Sequence, residues 1–384
     1  MPLHILNIIL LLLLASASAK TPEGAVPIYY INMDDMPHRA MLMDKHLEEL
    51  GFSGVARRVA GLTTITCNLI MVERMCKGHK GRMGFDEIAI LCSHVSAIRM
   101  AVLDEAPHAK SSRYALILED DVRMSFAINF AELVQQAPKD FGVLQLMTSH
   151  IDDFETLWEK FNNETLPVAG PVLPLGPGEA NANTITPPAN ISKPNATVAR
   201  PSAHLHHGAE DQEHAYNHRL WTFRDRESTV WSAQAYLIDK EAFRGFVDAA
   251  VRPDRTGRLG YKLISQQDFR RPNEKNNPYK PVIMSQCIFS DMFIYSVGQP
   301  AYILNTPLFN GAIVGHNSTY NLHQKHVAFH VRGFYEIHKA QALMAAHPKL
   351  RPSFASPPPR TSEAPIDWPK VLLDNPRPSW ALED

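Results

Sequence analysis

From residue 26, apolar runs of strand length alternate with segments in which apolar residues recur every three or four positions. The runs Val26–Asn32 and Val55–Ala60 are predicted to be strands. Between them, Pro37 is expected in the first turn of a helix. The apolar face of that helix contains Ala40, Met43, Leu47 and Leu50. This order predicts a β-α-β unit, the opening of an α/β fold.

The same alternation continues to residue 147. A strong helical stripe begins at Phe85 and contains Ile88, Leu91, Val95, Ile98 and Val102. The apolar run Tyr114–Leu118 predicts a buried strand, and Val143–Met147 predicts another. Between these two strands, helical spacing and a stop at Pro138 predict a helix, whose aligned residues are Phe126, Phe130 and Leu133.

Regular spacing is lost between about residues 160 and 218, where Pro, Asn, Ala, Gly and His predominate. This composition predicts a flexible, low-complexity insertion, in which the several histidines are expected to be solvated. Beyond it, alternation from Trp231 to Leu237 predicts a strand, and Asp239 is expected to cap the next helix. Arg252–Lys280 is polar and predicts a loop.

The last regular elements are predicted as a helix starting at Ser290, a strand at Ala301–Leu304 and an amphipathic helix over Val327–Met344. Residues 346–384 are rich in proline and predict an extended or disordered tail. The main domain is therefore expected to span residues 26–335.

The first 19 residues have the pattern of a secretory signal peptide. Their apolar core, which includes Leu10–Leu14, is too short for an ordinary membrane span, and small residues follow it at Ala15–Ala19. An uncleaved anchor is the alternative, but no stable membrane span is expected. The net charge of −2 gives no indication of a nucleic-acid-binding surface.

One further feature favours the lumen of the endoplasmic reticulum or Golgi, or secretion. Acceptor tripeptides for N-glycosylation begin at Asn163, Asn190, Asn195 and Asn317. The four cysteines are too few to build a disulfide scaffold. Cys67 and Cys76 lie close enough in sequence to pair, whereas Cys92 lies on an apolar helix face and is expected to be a buried thiol.

The most informative stretch is the end of the strand at Tyr114–Leu118, where Glu119, Asp120 and Asp121 follow directly. Adjacent like charges are unfavourable unless a cation neutralises them. Ligands of open α/β sheets bind beyond the carboxyl ends of strands, and carboxylates suit hard divalent cations. The stretch therefore predicts a metal site that holds a diphosphate. The alternative is a solvated turn that caps the next helix.

Several short motifs, in order along residues 26–317, resemble the family 25 glycosyltransferases, which include collagen β-galactosyltransferases and bacterial lipopolysaccharide sugar transferases. The motifs are Ile31–Asp34 with Arg39, Arg58–Gly61, Glu87–His94, Leu116–Val122, Ala235–Ile238 and Ser290–Phe293. The chain departs from the family pattern at Ala89-Ile90, Phe141-Gly142 and Ala233-Gln234. These departures affect the identity of the acceptor more than the fold.

The resemblance implies a GT-A-type fold, a nucleotide-sugar-binding mixed sheet flanked by helices. It also implies a UDP-sugar donor and Mn²⁺ or another divalent cation. Asp121, with Glu119 or Asp120, is expected to hold the metal, and His316 is the candidate for a further ligand. The alternative for His316 is an ordinary histidine in a surface loop.

The remaining assignments also follow from the resemblance. Asn32, Arg39, His94 and Asp120 are assigned to the nucleotide sugar. A surface salt bridge is the alternative for Arg39, and a satisfied histidine between helix and sheet is the alternative for His94. Because the family inverts the anomeric centre, one carboxylate must deprotonate the acceptor, and Asp291 is the candidate. Its alternative is a helix N-cap.

The expected function is transfer of a hexose, galactose first, from a UDP-sugar to a hydroxyl acceptor on protein or glycan. A non-catalytic luminal module that binds glycan or protein on the same fold is the alternative. A metal-dependent phosphohydrolase is a weaker hypothesis, because Glu119 stands where such enzymes place their nucleophilic Asp. The sugar and the acceptor are not specified by the sequence.

Overall fold

The computed structural model describes residues 24–63, 66, 85–148, 150–163, 216–224, 230, 232–253, 259–261, 290–311 and 324–357. Over these residues the chain is a mixed α/β structure, in which a seven-stranded sheet has helices on both faces. The α/β class and the mixed sheet flanked by helices are therefore confirmed.

The strands of the described residues are β1 (Ile28–Asn32), β2 (Ala56–Ala60), β3 (Tyr114–Glu119), β4 (Val122–Met124), β5 (Ala127–Ile128), β6 (Val143–Gln145), β7 (Trp221–Arg224), β8 (Ala235–Asp239), β9 (Val251–Pro253), β10 (Leu259–Tyr261), β11 (Ala301–Leu304), β12 (Phe309–Gly311) and β13 (Ala355–Ser356). The helices are α1 (Pro37–Glu49), α2 (Phe85–Leu103), α3 (Pro107–Ser111), α4 (Phe130–Gln136), α5 (Ile151–Asn163), α6 (Lys240–Ala250), α7 (Ser290–Val297) and α8 (Gln324–Ala346), and a 3₁₀ turn follows at Pro348–Leu350.

The main sheet has the strand order β2-β1-β3-β8-β6-β11-β7. Strand β1 is parallel to β2 and β3, whereas β8 is antiparallel to both of its neighbours, β3 and β6. The ends of β1 and β3 and the start of β8 therefore lie together, and we call this the carboxyl end of the sheet. The start of β3 and the end of β8 form its amino end.

The two faces of the sheet bury separate apolar clusters. Along β1, Ile28 and Tyr30 face the cluster that includes Met43 and Leu47 of α1. Tyr29 and Ile31 face the other cluster, to which α2, α6 and α7 contribute. The members of that second cluster from these helices are Leu91, Val95, Ile98, Phe243, Phe246, Phe293 and Ile294. Side chains alternate between the faces of a strand, so an almost wholly apolar strand is buried on both sides.

Most elements predicted from spacing are present within a few residues of their expected bounds. These include the β-α-β unit of β1, α1 and β2, and the strand at Ala301–Leu304. The helix expected after Asp239 is α6, and the Asp239 carboxylate accepts a hydrogen bond of 3.1 Å from the backbone N–H of Glu241. The amphipathic helix expected near the end of the domain is α8.

Two local predictions were wrong. Phe126 lies outside any helix, because the chain forms β4 and β5 before α4 begins at Phe130. These short strands pair with β12 and β13, which come from the last part of the chain. In the expected loop Arg252–Lys280, β9 and β10 form an antiparallel pair.

Helix α5, strand β7 and strand β13 are among the elements that lie where no regular structure was predicted. Helix α5 runs to Asn163, and β7 begins at Trp221, at either side of the expected insertion. Residues 164–215 of that insertion lie outside the described residues. In the expected tail, Phe354 is buried and β13 pairs with β5, whereas residues 358–384 lie outside the described residues. The expected signal peptide, residues 1–19, also lies outside them.

Cys92 on α2 is buried, but the prediction of a free thiol was wrong, because Cys92 is bonded in a disulfide. Its partner is one of the other three cysteines, Cys67, Cys76 and Cys287, all of which lie outside the described residues. The apolar face of α2 gave no local sign of this bond.

Of the described helices, none combines the length and the hydropathy that a membrane crossing requires.

Candidate functional site

The acidic triplet lies at the carboxyl end of the sheet, as predicted. Ala115–Leu118 of β3 are fully buried, and the strand ends at Glu119. Strand β1 ends beside it at Asn32, with Ile31 opposite Glu119. The side chains of Asp120 and Asp121 are only 8% and 13% exposed, and the chain continues directly into β4. The alternative of a solvated turn that caps a helix is therefore wrong.

Asp120 is held by two side chains from the first β-α connection. Asn32 donates a hydrogen bond of 2.6 Å to its Oδ2, and Arg39 forms an ion pair with its Oδ1. Burial raises the pKa of Asp120, while the bond from Asn32 and the charge of Arg39 oppose that rise. Both oxygens of Asp120 thus have protein partners.

Asn32 itself is fixed by its surroundings. Its amide also donates to the backbone carbonyl of Met36 at 3.0 Å, and its Oδ1 accepts a hydrogen bond of 2.7 Å from Arg58. Arg58 in turn pairs with Asp34 at 2.6 Å. Buried amides of this kind are normally hydrogen-bonded at every polar atom. Asn32 therefore ties the start of α1, and with it Arg39, to the acids.

Asp121 is buried but weakly held. Its nearest partners are Arg39 at 3.3 Å and the side-chain amide of Gln234 at 3.4 Å. Burial, with the negative charge of Glu119 as the next cause, raises its pKa to about 7. The charge of Arg39 opposes this rise but does not cancel it, so the ionised form of Asp121 is only partly compensated at neutral pH. Asp121 is thus the acid of the triplet with most to gain from an additional cation.

Glu119 is connected to a buried histidine. His94 of α2 is 1% exposed, and its Nε2 lies 3.1 Å from Oε1 of Glu119. Its Nδ1 lies 3.1 Å from the hydroxyl of Tyr236, whose pKa is raised by burial. The Tyr236 hydroxyl and the Glu119 carboxylate thus each lie within hydrogen-bond distance of one ring nitrogen of His94. His94 therefore lies between helix and sheet with both nitrogens engaged, and it orients Glu119.

Asp291 lies near this group, in the first turn of α7. Burial raises its pKa, and the charge of Glu119 raises it further, whereas Arg224 and His94 lower it. These mutual effects place Asp291 within electrostatic range of Glu119 and His94. The helix begins one residue earlier, at Ser290, so Asp291 is not its N-cap.

A divalent cation fits the charge of the described acids. Asp120 and Asp121 share one guanidinium, that of Arg39, Glu119 lies beside them, and burial together with the charge of Glu119 raises the pKa of Asp121 to about 7. Hard oxygen donors of this kind suit Mg²⁺ or Mn²⁺. Within the described ranges, however, no three His, Cys, Asp or Glu side chains are arranged to hold a metal ion. His316 lies outside those ranges.

Sequence reasoning missed two members of this site, Gln234 and Tyr236. Because β8 runs antiparallel beside β3, Gln234 reaches Asp121 and Tyr236 reaches His94. The Glu119 N–H donates to the Gln234 carbonyl at 2.8 Å. Nearby, Ser232 has φ of 149°, a backbone conformation that favours glycine. The Tyr295 hydroxyl holds its carbonyl with a hydrogen bond of 2.7 Å. The sequence predicted strand β8, but it did not predict that β8 pairs with β3.

Comparison of the sequence with models of protein families and with curated proteins finds no match.

Proposed function

We propose that the chain is a metal-dependent glycosyltransferase of the GT-A type that moves a hexose, galactose first, from a UDP-sugar to a hydroxyl on protein or glycan. The observation that carries this proposal is the clustering of three acids at the carboxyl end of the sheet, where the largely buried Asp120 and Asp121 share one guanidinium. Ligands of open α/β sheets bind at this end. The resemblance of the motifs to family 25 glycosyltransferases supplies the donor class.

In this proposal, Glu119 and Asp121 hold the cation, and His316 is the further ligand. His94 leaves the second carboxylate oxygen of Glu119 available, and the partners of Asp121 are distant. Asp120, Asn32 and Arg39 organise the diphosphate side of the site. A bound divalent cation neutralises charge on the departing diphosphate.

Asp291 acts as the base of an inverting displacement. The acceptor oxygen forms a bond to the anomeric carbon while the bond from that carbon to the diphosphate oxygen breaks, and the electron pair leaves with UDP. The acceptor proton passes to the Asp291 carboxylate. Because burial raises the pKa of Asp291, its carboxylate binds this proton more readily than an exposed one.

We place this activity in the lumen of the secretory pathway or outside the cell. The disulfide at Cys92 supports that location, because disulfides persist mainly in oxidising compartments. The acceptor tripeptides for glycosylation support it as well.

The test is hydrolysis of a panel of UDP-sugars with and without Mn²⁺. For wild type we expect turnover of at least one donor that depends on Mn²⁺. Asp121→Ala is expected to lose about 100-fold or more, since it removes a proposed ligand of the cation that would stabilise the departing diphosphate. Asp152→Ala, which changes an exposed acid of α5, is the matched control and retains wild-type turnover. Equal turnover by wild type and Asp121→Ala would exclude the metal assignment.

One observation favours a second candidate, a non-catalytic luminal binding module. Arg39 already pairs with Asp120 and Asp121, so the acids have a counterion within the protein. A module of this kind does not need the metal. Thermal unfolding separates the two: an active transferase is stabilised by UDP with Mn²⁺, whereas a module that does not bind nucleotide keeps its melting temperature.

A further inference from the structure

Arg39 contacts the same carboxylate oxygens that an added cation would bind. One terminal nitrogen of its guanidinium contacts Asp120 Oδ1 and lies 3.3 Å from Asp121 Oδ2. The side chain is 13% exposed and lies in the first turn of α1. An arginine side chain keeps its charge at all physiological pH values. The two acids therefore always have a positive partner within the protein.

A divalent cation and this guanidinium compete for the same oxygens. Two positive charges a few ångströms apart repel strongly in a site of low dielectric. The contact between Arg39 and Asp120 is the closer of the two, and Asn32 fixes the other oxygen of Asp120. The contact with Asp121 is the longer one, so it is the one that a metal ion displaces.

Arg39 also has a second hydrogen-bond donor, its Nε, that could contact a ligand after such a displacement. Among the described residues, no acceptor lies within hydrogen-bond distance of its buried Nε. A buried donor without an acceptor is unfavourable, and a diphosphate oxygen is a strong acceptor for a guanidinium. The unused donor and the displaced nitrogen are both suited to a nucleotide diphosphate.

We infer that Arg39 is an internal counterion of Asp121 which a metal ion displaces, and which then binds the diphosphate of the nucleotide. This inference rests on the proposed function, because it takes the metal and the nucleotide from it. It makes the two ligands interdependent: metal binding releases Arg39 for the diphosphate, and the diphosphate holds Arg39 away from Asp121. Such coupling is reciprocal by thermodynamic linkage.

The experiment is calorimetric titration of Mn²⁺ into the full chain, with and without saturating UDP. Without UDP, Arg39→Gln is expected to bind Mn²⁺ about tenfold more tightly than wild type, since the competing charge is gone. UDP is expected to tighten Mn²⁺ binding by a smaller factor in the variant than in wild type. Arg244→Gln, which removes an exposed arginine of α6 that pairs with Glu241, is the matched control and binds as wild type.

Arg39→Lys is the second variant and keeps the positive charge without the planar fork. Its affinity for Mn²⁺ without UDP is expected to lie between those of wild type and Arg39→Gln, and it decides the question if Arg39→Gln does not fold. Wild-type or weaker Mn²⁺ binding by the folded variants overturns the inference and leaves the proposed function in place. A wild-type chain that binds neither Mn²⁺ nor UDP removes both.

Discussion

The two ends of strands β3 and β8 carry the same kinds of charged residue in different proportions. At the amino end, Arg113 donates to Oδ2 of Asp239 from two nitrogens, at 2.9 and 2.5 Å. The other oxygen of Asp239 accepts the Glu241 N–H. One acid thus meets one guanidinium, and every oxygen is used. At the carboxyl end, Asp120 and Asp121 share the single guanidinium of Arg39, and the third acid, Glu119, contacts His94 instead.

The difference separates an ion pair that is complete within the protein from a group of acids that our proposal assigns to a ligand. The Arg113–Asp239 pair joins β3 to the start of α6 and is complete within the protein. The carboxyl end is incomplete, because burial and Glu119 raise the pKa of Asp121 to about 7. Both groups lie on the same pair of strands. The two ends therefore differ in the number of acids and not in the backbone that carries them.

The largest expected effect is on catalysis, and it tests whether the proposed base lies at the carboxyl end of the sheet. Asp291→Asn removes the proposed base and is expected to slow sugar transfer by about 100-fold to 10⁴-fold while UDP binding is retained. Initial transfer rates and UDP titration measure the two quantities. Asp239→Asn, at the amino end, is the control and transfers at the wild-type rate while folded. Normal transfer by Asp291→Asn would contradict the assignment.

The next effect concerns the stability of the incomplete end. The folded state holds the proton of Asp121 with a pKa of about 7, above its ordinary value of 3.8. Folding therefore gains stability from this proton at low pH and loses that gain as the pH rises towards 7. Asparagine does not titrate, so Asp121→Asn avoids this loss. From pH 5 to pH 7, its free energy of unfolding is expected to rise by about 2 kcal/mol relative to that of wild type.

Urea denaturation of both proteins at the two pH values, with divalent cations removed, measures this gain. Asp152→Asn, at an exposed position, serves as the control and is expected to keep a constant difference from wild type. A difference between Asp121→Asn and wild type that does not change with pH would show that Asp121 is ordinarily ionised in the folded chain.

The smallest expected effect concerns the Arg113–Asp239 ion pair at the amino end of the sheet. Asp239→Asn leaves Arg113 without its partner and weakens the bond from Glu241, and we expect a loss of about 1–2 kcal/mol in free energy of unfolding. The loss is limited because the Arg113 side chain is 58% exposed and can return to water. The urea midpoint measures it. Glu241→Gln, in an exposed pair with Arg244, is the control and is expected to lose at most about 0.5 kcal/mol. If Asp239→Asn left the free energy of unfolding unchanged, the Arg113–Asp239 pair would not stabilise the fold, and the contrast between the two ends of the sheet would fail.

Much of this site could be predicted from local sequence because its central parts are local. The run Tyr114–Leu118 is a buried strand, and the acids after it must lie at its carboxyl end. The spacing of apolar residues likewise predicted α1 and α2, which carry Arg39 and His94. Periodicity reports on burial within one element, and here that was sufficient to place the three acids, Arg39 and His94.

The remaining features depend on contacts between distant parts of the chain. Phe126 and Phe130 have helical spacing, but pairing of β4 and β5 with β12 and β13 overrides it. The approach of Gln234 to Asp121 depends on β8 lying next to β3. The Arg39 ion pairs with Asp120 and Asp121 span about 80 residues of sequence, and no local pattern contains them.

The strand order of the main sheet has a consequence for the integrity of the chain. Strand β6, which precedes residues 164–215, lies between β8 and β11, which follow them. Each side of the chain therefore lacks hydrogen-bonding neighbours that only the other side supplies. A backbone cut within residues 164–215 would yield two complementary fragments that remain one folded body, and neither fragment would be a domain by itself.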